Sequence, residues 1–168
     1  MKKFFLFALL LIALASCSGN IKQAEVAEVT TFELDDLMLL ADQKINDTLT
    51  VVGYVTHTCK HSGQRCFIEG ESQDISMRIE AKGDIGSFDA ELVGSKLSVT
   101  GIIKEQRLSQ EYIAEAEKEV QERIEGGETA ESCAAEMSNI EKMRNWMEAN
   151  NKDYYALYYM EGLSFKKL

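Results

Sequence analysis

His57, Cys59, His61 and Cys66 fall within ten residues, in a 168-residue chain that holds only two histidines and four cysteines. Thiolate and imidazole are the donors that zinc gathers into a tetrahedron, at roughly 2.0–2.3 Å. Soft thiolates with imidazole also suit copper(I). On an extended strand, residues 57, 59 and 61 project to one face, and a tight turn at His61-Ser62-Gly63-Gln64 returns Cys66 beside them. Cys133 is the remaining candidate donor. The pattern therefore raises a zinc or copper site made of Cys59, His61, Cys66 and Cys133, with His57 as the substitute ligand. It equally suits a Cys59–Cys66 disulfide closing the hairpin, which needs no metal in an oxidising compartment. The spacing Cys-x-His-x4-Cys is not a standard zinc-finger pattern.

Other chemistry finds little support. Thiolate-activating pairs are usually Cys-x-x-Cys at a helix start, which this hairpin is not. Ser62 has histidines nearby, but no sequence sign of an oxyanion hole or a third triad member accompanies it. Neither a phosphate loop nor a dinucleotide fingerprint occurs. The chain reads as a protein that is not an enzyme.

The fourth cysteine has a separate context. Met1-Lys2-Lys3 is a short basic start, and Phe4 to Ala13 is an apolar run of ten residues. A bilayer span needs roughly 20 apolar residues, whereas a run of this length suits the core of a signal peptide. Leu14-Ala15-Ser16-Cys17 resembles the lipobox of bacterial lipoproteins. That resemblance implies removal of residues 1–16, lipidation at Cys17 with acyl chains such as palmitate, and a membrane anchor of two or three chains. Ser18-Gly19 lacks the Asp associated with retention in the inner membrane, which favours the outer membrane with the protein facing the periplasm.

Loss of Lys2 and Lys3 with no acid takes the formal charge from −10 to −12. Such an acidic body repels phosphates, and nucleic acid is not an expected partner. It also disfavours lying flat on anionic lipid. The expected partners are the membrane, through the lipid, and an envelope protein. Lys60 and Arg65 at the hairpin read as solvated charges, and Tyr154, Tyr155, Tyr158 and Tyr159 as strand packing rather than base stacking.

These groups need elements to hold them. Residues 17–30 read as a small, polar, lipidated tether. Residues 31–168 form one domain. Thr30 or Thr31 caps a predicted helix to about Lys44, with Leu34, Leu37, Met38 and Ala41 on one face. Alternating segments predict strands at Thr48–Cys59, Cys66–Glu69, Ile75–Ala81 and Lys96–Ile103, and an aromatic one at Tyr154–Phe165. Between the last two lies an insertion of about 105–150. Ile113, Ala116, Val120 and Ile124 stripe its first helix, Gly126-Gly127 breaks it, and Cys133, Met137, Ile140 and Met147 stripe the second. Gly53 in the long first strand permits the bend that lets one strand serve two sheets. The fold class expected is α+β, mainly β: a five-stranded OB-like barrel with an N-terminal helix and a two-helix insertion before the last strand.

The run from Gly53 to Ile68, the segments Glu80-Ala81-Lys82-Gly83 and Leu92-Val93-Gly94, and the tail Asn150 to Tyr155 resemble a group of OB-fold lipoproteins of the bacterial envelope. The resemblance covers most of the mature chain and implies the fold, without an activity to carry over.

The anchor is tested at one atom. Cys17→Ala is expected to abolish labelling by a fatty-acid probe and to release the protein from membranes. Labelling and membrane retention in the mutant would end the lipoprotein reading.

Overall fold

The computed structural model describes residues 29–168, so the signal peptide, Cys17 and the tether up to residue 28 lie outside the described residues. Valine- and threonine-rich alternation makes Thr48–Thr58 an 11-residue strand, β2. It hairpins into β3 (Arg65–Glu69), which hairpins into β4 (Ser76–Ala81). The longest strands are β5 (Lys96–Ser109) and β6 (Tyr154–Lys167), 14 residues each. The order β2-β3-β4-β6-β5 closes through β2–β5 into a five-stranded barrel. Within it β4–β6 is the parallel pair and the other ladders are antiparallel. This is the OB-like, mainly β architecture that the sequence predicts. Leu49, Val51, Ile68, Ile79, Leu97, Val99, Ile103 and Met160 fill the interior, each almost wholly buried.

Gly53 acts as expected. Residues 48–54 of β2 pair with β5, and residues 54–58 pair with β3. A Cβ on Gly53 would lie 2.8 Å from the carbonyl oxygen of Glu69, so the strand bends where only a hydrogen fits.

The N-terminal segment departs from expectation. Thr31–Glu33 is not a helix start but a short strand, β1, running parallel to β2 on the edge that β3 leaves free. The helix that follows, α1, covers only Leu34–Met38, and a 3₁₀ turn at Ala41–Lys44 completes the segment. The helical face was nevertheless assigned correctly. Leu34, Leu37 and Ala41 are buried, with Met38 packed against the core. Plugging the barrel end rewards those positions, whereas Leu39 is 78% exposed and nothing favours extending the helix through it.

A second correction concerns the insertion, expected from residue 105. Strand β5 continues to Ser109 because β6 is long enough to pair with it throughout, down to Ser109↔Tyr154. Pairing with a distant strand overrides the helix-like composition of this stretch. Beyond the Lys104↔Tyr159 pair the two strands pair only with each other and leave the barrel as a ribbon.

That ribbon carries an arm of two helices, α2 (Gln110–Glu125) and α3 (Ala130–Ala149). The Ser109 hydroxyl caps α2 by accepting from the Tyr112 N–H, and Thr129 caps α3 by accepting from Ser132. Gly127 turns the hairpin at φ +105°, a left-handed conformation natural to glycine. The arm has its own core of Ile113, Val120, Cys133, Ile140 and Met147, separate from that of the barrel. No described helix is long and apolar enough to cross a membrane.

Where β5 crosses β6, the register slips at Thr100/Gly101. A methyl on Gly101 would overlap the Glu161 carbonyl and the Met160 side chain, whereas one on Gly86 would meet nothing within 4 Å. Gly101→Ala is therefore expected to lower stability by about 1–3 kcal/mol. Gly86→Ala should stay within about 0.5 kcal/mol of the parent in urea unfolding.

Candidate functional site

The donor-rich hairpin is shaped by a β-bulge. Strand β2 pairs with β3 at Tyr54↔Glu69 and Val55↔Ile68, then slips so that His57 faces Phe67 and Thr58 faces Cys66. Thr56 is the extra residue, and one extra residue reverses which positions face inward. Before the bulge Leu49, Val51 and Val55 are buried, and after it Thr58 is. Cys66, opposite Thr58, points into the barrel and is fully buried.

His57 is thereby turned outward, its ring centroid 6.0 Å from that of Phe67. Cys59 follows Thr58 and donates its N–H to the Arg65 carbonyl at 2.9 Å. His61 is exposed on the turn. The expected common face of residues 57, 59 and 61 with Cys66 is thus not formed. Cys66 is fully buried in the barrel core, whereas Cys59 is only partly buried, its sulfur beside the Ser62 hydroxyl at the turn. Cys133 is buried in the arm, in the other core.

The structure therefore does not assemble Cys59, His61, Cys66 and Cys133, and His57 does not restore the set. Among the described residues no group of three or more His, Cys, Asp or Glu side chains is placed to hold a metal ion. The Cys59–Cys66 disulfide is not formed either. Cys59, Cys66 and Cys133 are free thiols.

What remains at the hairpin is a thiol with unusual surroundings. Gly63 turns the chain at φ +62°, and its N–H donates to the Cys59 carbonyl at 2.8 Å. This folds Ser62 back so that its hydroxyl donates to Cys59 Sγ at 3.4 Å. That hydroxyl first, then the backbone N–H groups of Ser62 and His61, and last the charge of Arg65, lower the Cys59 pKa to about 7. Cys66 is the opposite case. Burial pushes its thiol up to about 12. The turn and the Ser87–Ala90 loop border a shallow depression of about 250 Å³ that includes Cys59, His61 and Ser62. Buried Phe88 holds the loop there through its N–H to the Gly63 carbonyl at 2.7 Å.

The other candidates are engaged within the fold. Arg65 Nε lies 3.5 Å from a Glu80 carboxylate oxygen. Arg78 stacks over Tyr159 at 4.7 Å and Arg107 over Tyr154 at 4.4 Å, while Tyr155 meets Trp146 edge-on at 5.3 Å. Burial, above all, raises the Tyr158 hydroxyl to about 12.

Sequence reasoning missed a row that crosses five strands on the barrel's outer face: His57, Phe67, Arg78, Tyr159 and Lys104, each in register with the next. The parallel β4–β6 pairing that creates it leaves no local signal in the sequence.

Comparison with known proteins bears on the anchor. The family model described as "Prokaryotic membrane lipoprotein lipid attachment site" matches residues 1–18. The match supports a lipid-anchored bacterial lipoprotein. No curated protein matches the chain. Among solved structures, a chain described as an aspartyl-tRNA synthetase from Leishmania major Friedlin aligns at 12% identity with a TM-score of 0.32. The alignment covers 51% of this chain and 18% of that one.

The two thiols make a paired test. Because the folded-state pKa of Cys59 is lowered from 9.0, its thiolate is populated from about pH 7 upward rather than near pH 9. Alkylation of Cys59 by iodoacetamide should rise to half its maximum near pH 7, and Ser62→Ala should move that midpoint upward. Cys66 should stay unreactive until the protein is unfolded. Equal titration of both thiols in the native protein would contradict the hairpin geometry.

Proposed function

We propose that the mature protein is a non-enzymatic, lipid-anchored OB-like module of the cell envelope that presents the α2–α3 arm to a protein partner. The observation that carries this reading is the arm itself. It stands on a two-stranded ribbon, has its own small core, and packs against that ribbon through Leu108 and Tyr155. A hairpin used only to close a loop needs two to five residues, whereas the chain invests residues 110–153 in this one. The acidic body argues against a nucleic-acid partner, and the residues after Cys17 favour the outer membrane, facing the periplasm.

The anchor and the arm are arranged for such a role. Thr31 lies beside Thr50, and Thr50 beside Thr100, so chain arriving from the tether enters at the barrel end from which β5 leaves. Two strand spacings of roughly 4.8 Å separate these positions. The arm and the point of tethering thus share one end of the barrel, and the Cys59 hairpin is at the far end of β2.

Ser109 and Tyr154 face each other in the ribbon, so residues 110–153 are replaceable by an Asn-Gly turn that closes a hairpin. The shortened protein is expected to unfold cooperatively and to remain in the membrane fraction. It should lose the partner complexes that in-cell cross-linking recovers with the full chain. Retention of every complex by the shortened protein would refute the arm as the presenting element.

A further inference from the structure

We propose that the groove between α2 and α3 on the Glu119 side receives a basic amphipathic helix of a partner protein, completing a three-helix packing. The proposal rests on the arm being the docking element and adds the chemistry of what docks there.

Two helices bury one seam and leave both broad faces open. The arm's seam takes up Ile113, Val120, Cys133, Ile140 and Met147, with Ala116, Ile124 and Met137 only partly covered. On one face the helices border a groove of about 660 Å³. Ala116, Val120 and Ile140 form its apolar floor, and Glu119, Glu122 and Glu136 stand on its rim with a single cation, Arg123. The opposite face is smaller, about 460 Å³, and has two carboxylates, Glu117 and Glu141, facing Arg144.

The charge of the rim identifies the occupant. Glu119 borders the groove, and Glu115 and Glu111 continue its row along α2 at four-residue spacing, where like charges destabilise a helix. The nearby cations are already taken. Lys118 pairs with Glu122 at 3.6 Å, Arg123 with Glu136 at 2.6 Å and Glu128 at 3.8 Å, and Arg144 with Glu117. Glu111, Glu115 and Glu119 have no cationic partner among the described residues. A third helix with an apolar stripe at i, i+3 and i+4 covers the floor. Lysine or arginine beside that stripe neutralises the ladder.

Other occupants fit poorly. A second copy of this chain would set the same acids against each other. Residues 18–28 of the tether carry Lys22 but also Glu25 and Glu28, so they bring no net positive charge. An anionic lipid surface is repelled by the same ladder.

The test places a photoreactive benzophenone residue at Asn139, which borders the groove, or at Ala134, which is exposed and borders the opposite face of the arm. Cells making the full-length lipoprotein are irradiated, and the attached peptide is sequenced by mass spectrometry. Asn139 is expected to capture a segment with apolar residues at helical spacing flanked by lysine or arginine, and Ala134 is not. Glu119→Lys with Glu122→Lys should cut that adduct about tenfold, the order expected when like charges meet across an interface. Glu119→Gln with Glu122→Gln should cut it less, with unchanged helicity showing that the arm remains folded.

A captured segment that is acidic or neutral, a captured second copy, an adduct indifferent to charge reversal, or no adduct at Asn139 would each overturn the proposal. These failures are separable from failure of the arm reading. A non-basic partner held at Asn139 refutes the groove chemistry alone, while complexes that survive deletion of the arm refute both.

Discussion

The antiparallel pairing of β5 with β6 holds the two halves of the molecule together. From Leu97↔Lys167 to Ile103↔Met160 this ladder forms part of the barrel wall, with Val99, Ile103 and Met160 in the core. From Glu105↔Tyr158 to Ser109↔Tyr154 the same ladder leaves the wall and bears the arm. The crossing demands close approach. Gly101 faces Gly162, and a Cβ on Gly162 would come within 2.8 Å of Ile79 Cγ2. Two glycines face to face allow the strands to meet there without displacing the core. The arm's seam is rooted on the ribbon through Leu108 and Tyr155, so distortion at the crossing reaches barrel and arm together.

A second constraint governs the chemistry. A single extra residue in β2 decides which side chains enter the barrel, since a strand has period two. Without the bulge at Thr56, His57 and Cys59 would continue the inward series of Val51 and Val55 and place two polar groups in an apolar core. With it, Thr58 and Cys66 fill that space and the imidazole is turned out. The two hairpin thiols thus acquire opposite characters from one backbone irregularity. One is held near pH 7 by hydrogen-bond donors, and the other is inert by burial.

The segment that follows the tether is bound firmly into the barrel. Leu34 and Leu37 are fully buried in the core. Asp35 accepts hydrogen bonds from the Ser72 hydroxyl at 2.7 Å and the Ser72 N–H at 3.3 Å, and the hydroxyl bond is the main reason its carboxyl lies below the usual range. Its carboxylate occupies the space where Gly70 would otherwise carry a side chain.

Local information carried far in this chain. The helical stripes of α2 and α3, the Gly126-Gly127 break, the alternation of the barrel strands and the bend at Gly53 all follow from periodicity and from residues with special backbone freedom. Those signals are short-range, and the barrel's existence was legible from them. The lipobox was legible for the same reason, being a contiguous motif. The candidate metal site was not decided locally. Its donors are close in sequence, but one bulge inverted the face of Cys66 relative to His57, and Cys133 was committed to a core that the barrel does not share. The length of β5 and the short β1 likewise depended on partners far away in the chain. Composition around residues 105–109 favours helix, and β6 overrode it by offering a complete ladder of backbone hydrogen bonds. Local sequence thus determined the elements and the anchor, while tertiary pairing decided which side chains meet, because register and strand partners are properties of two segments at once.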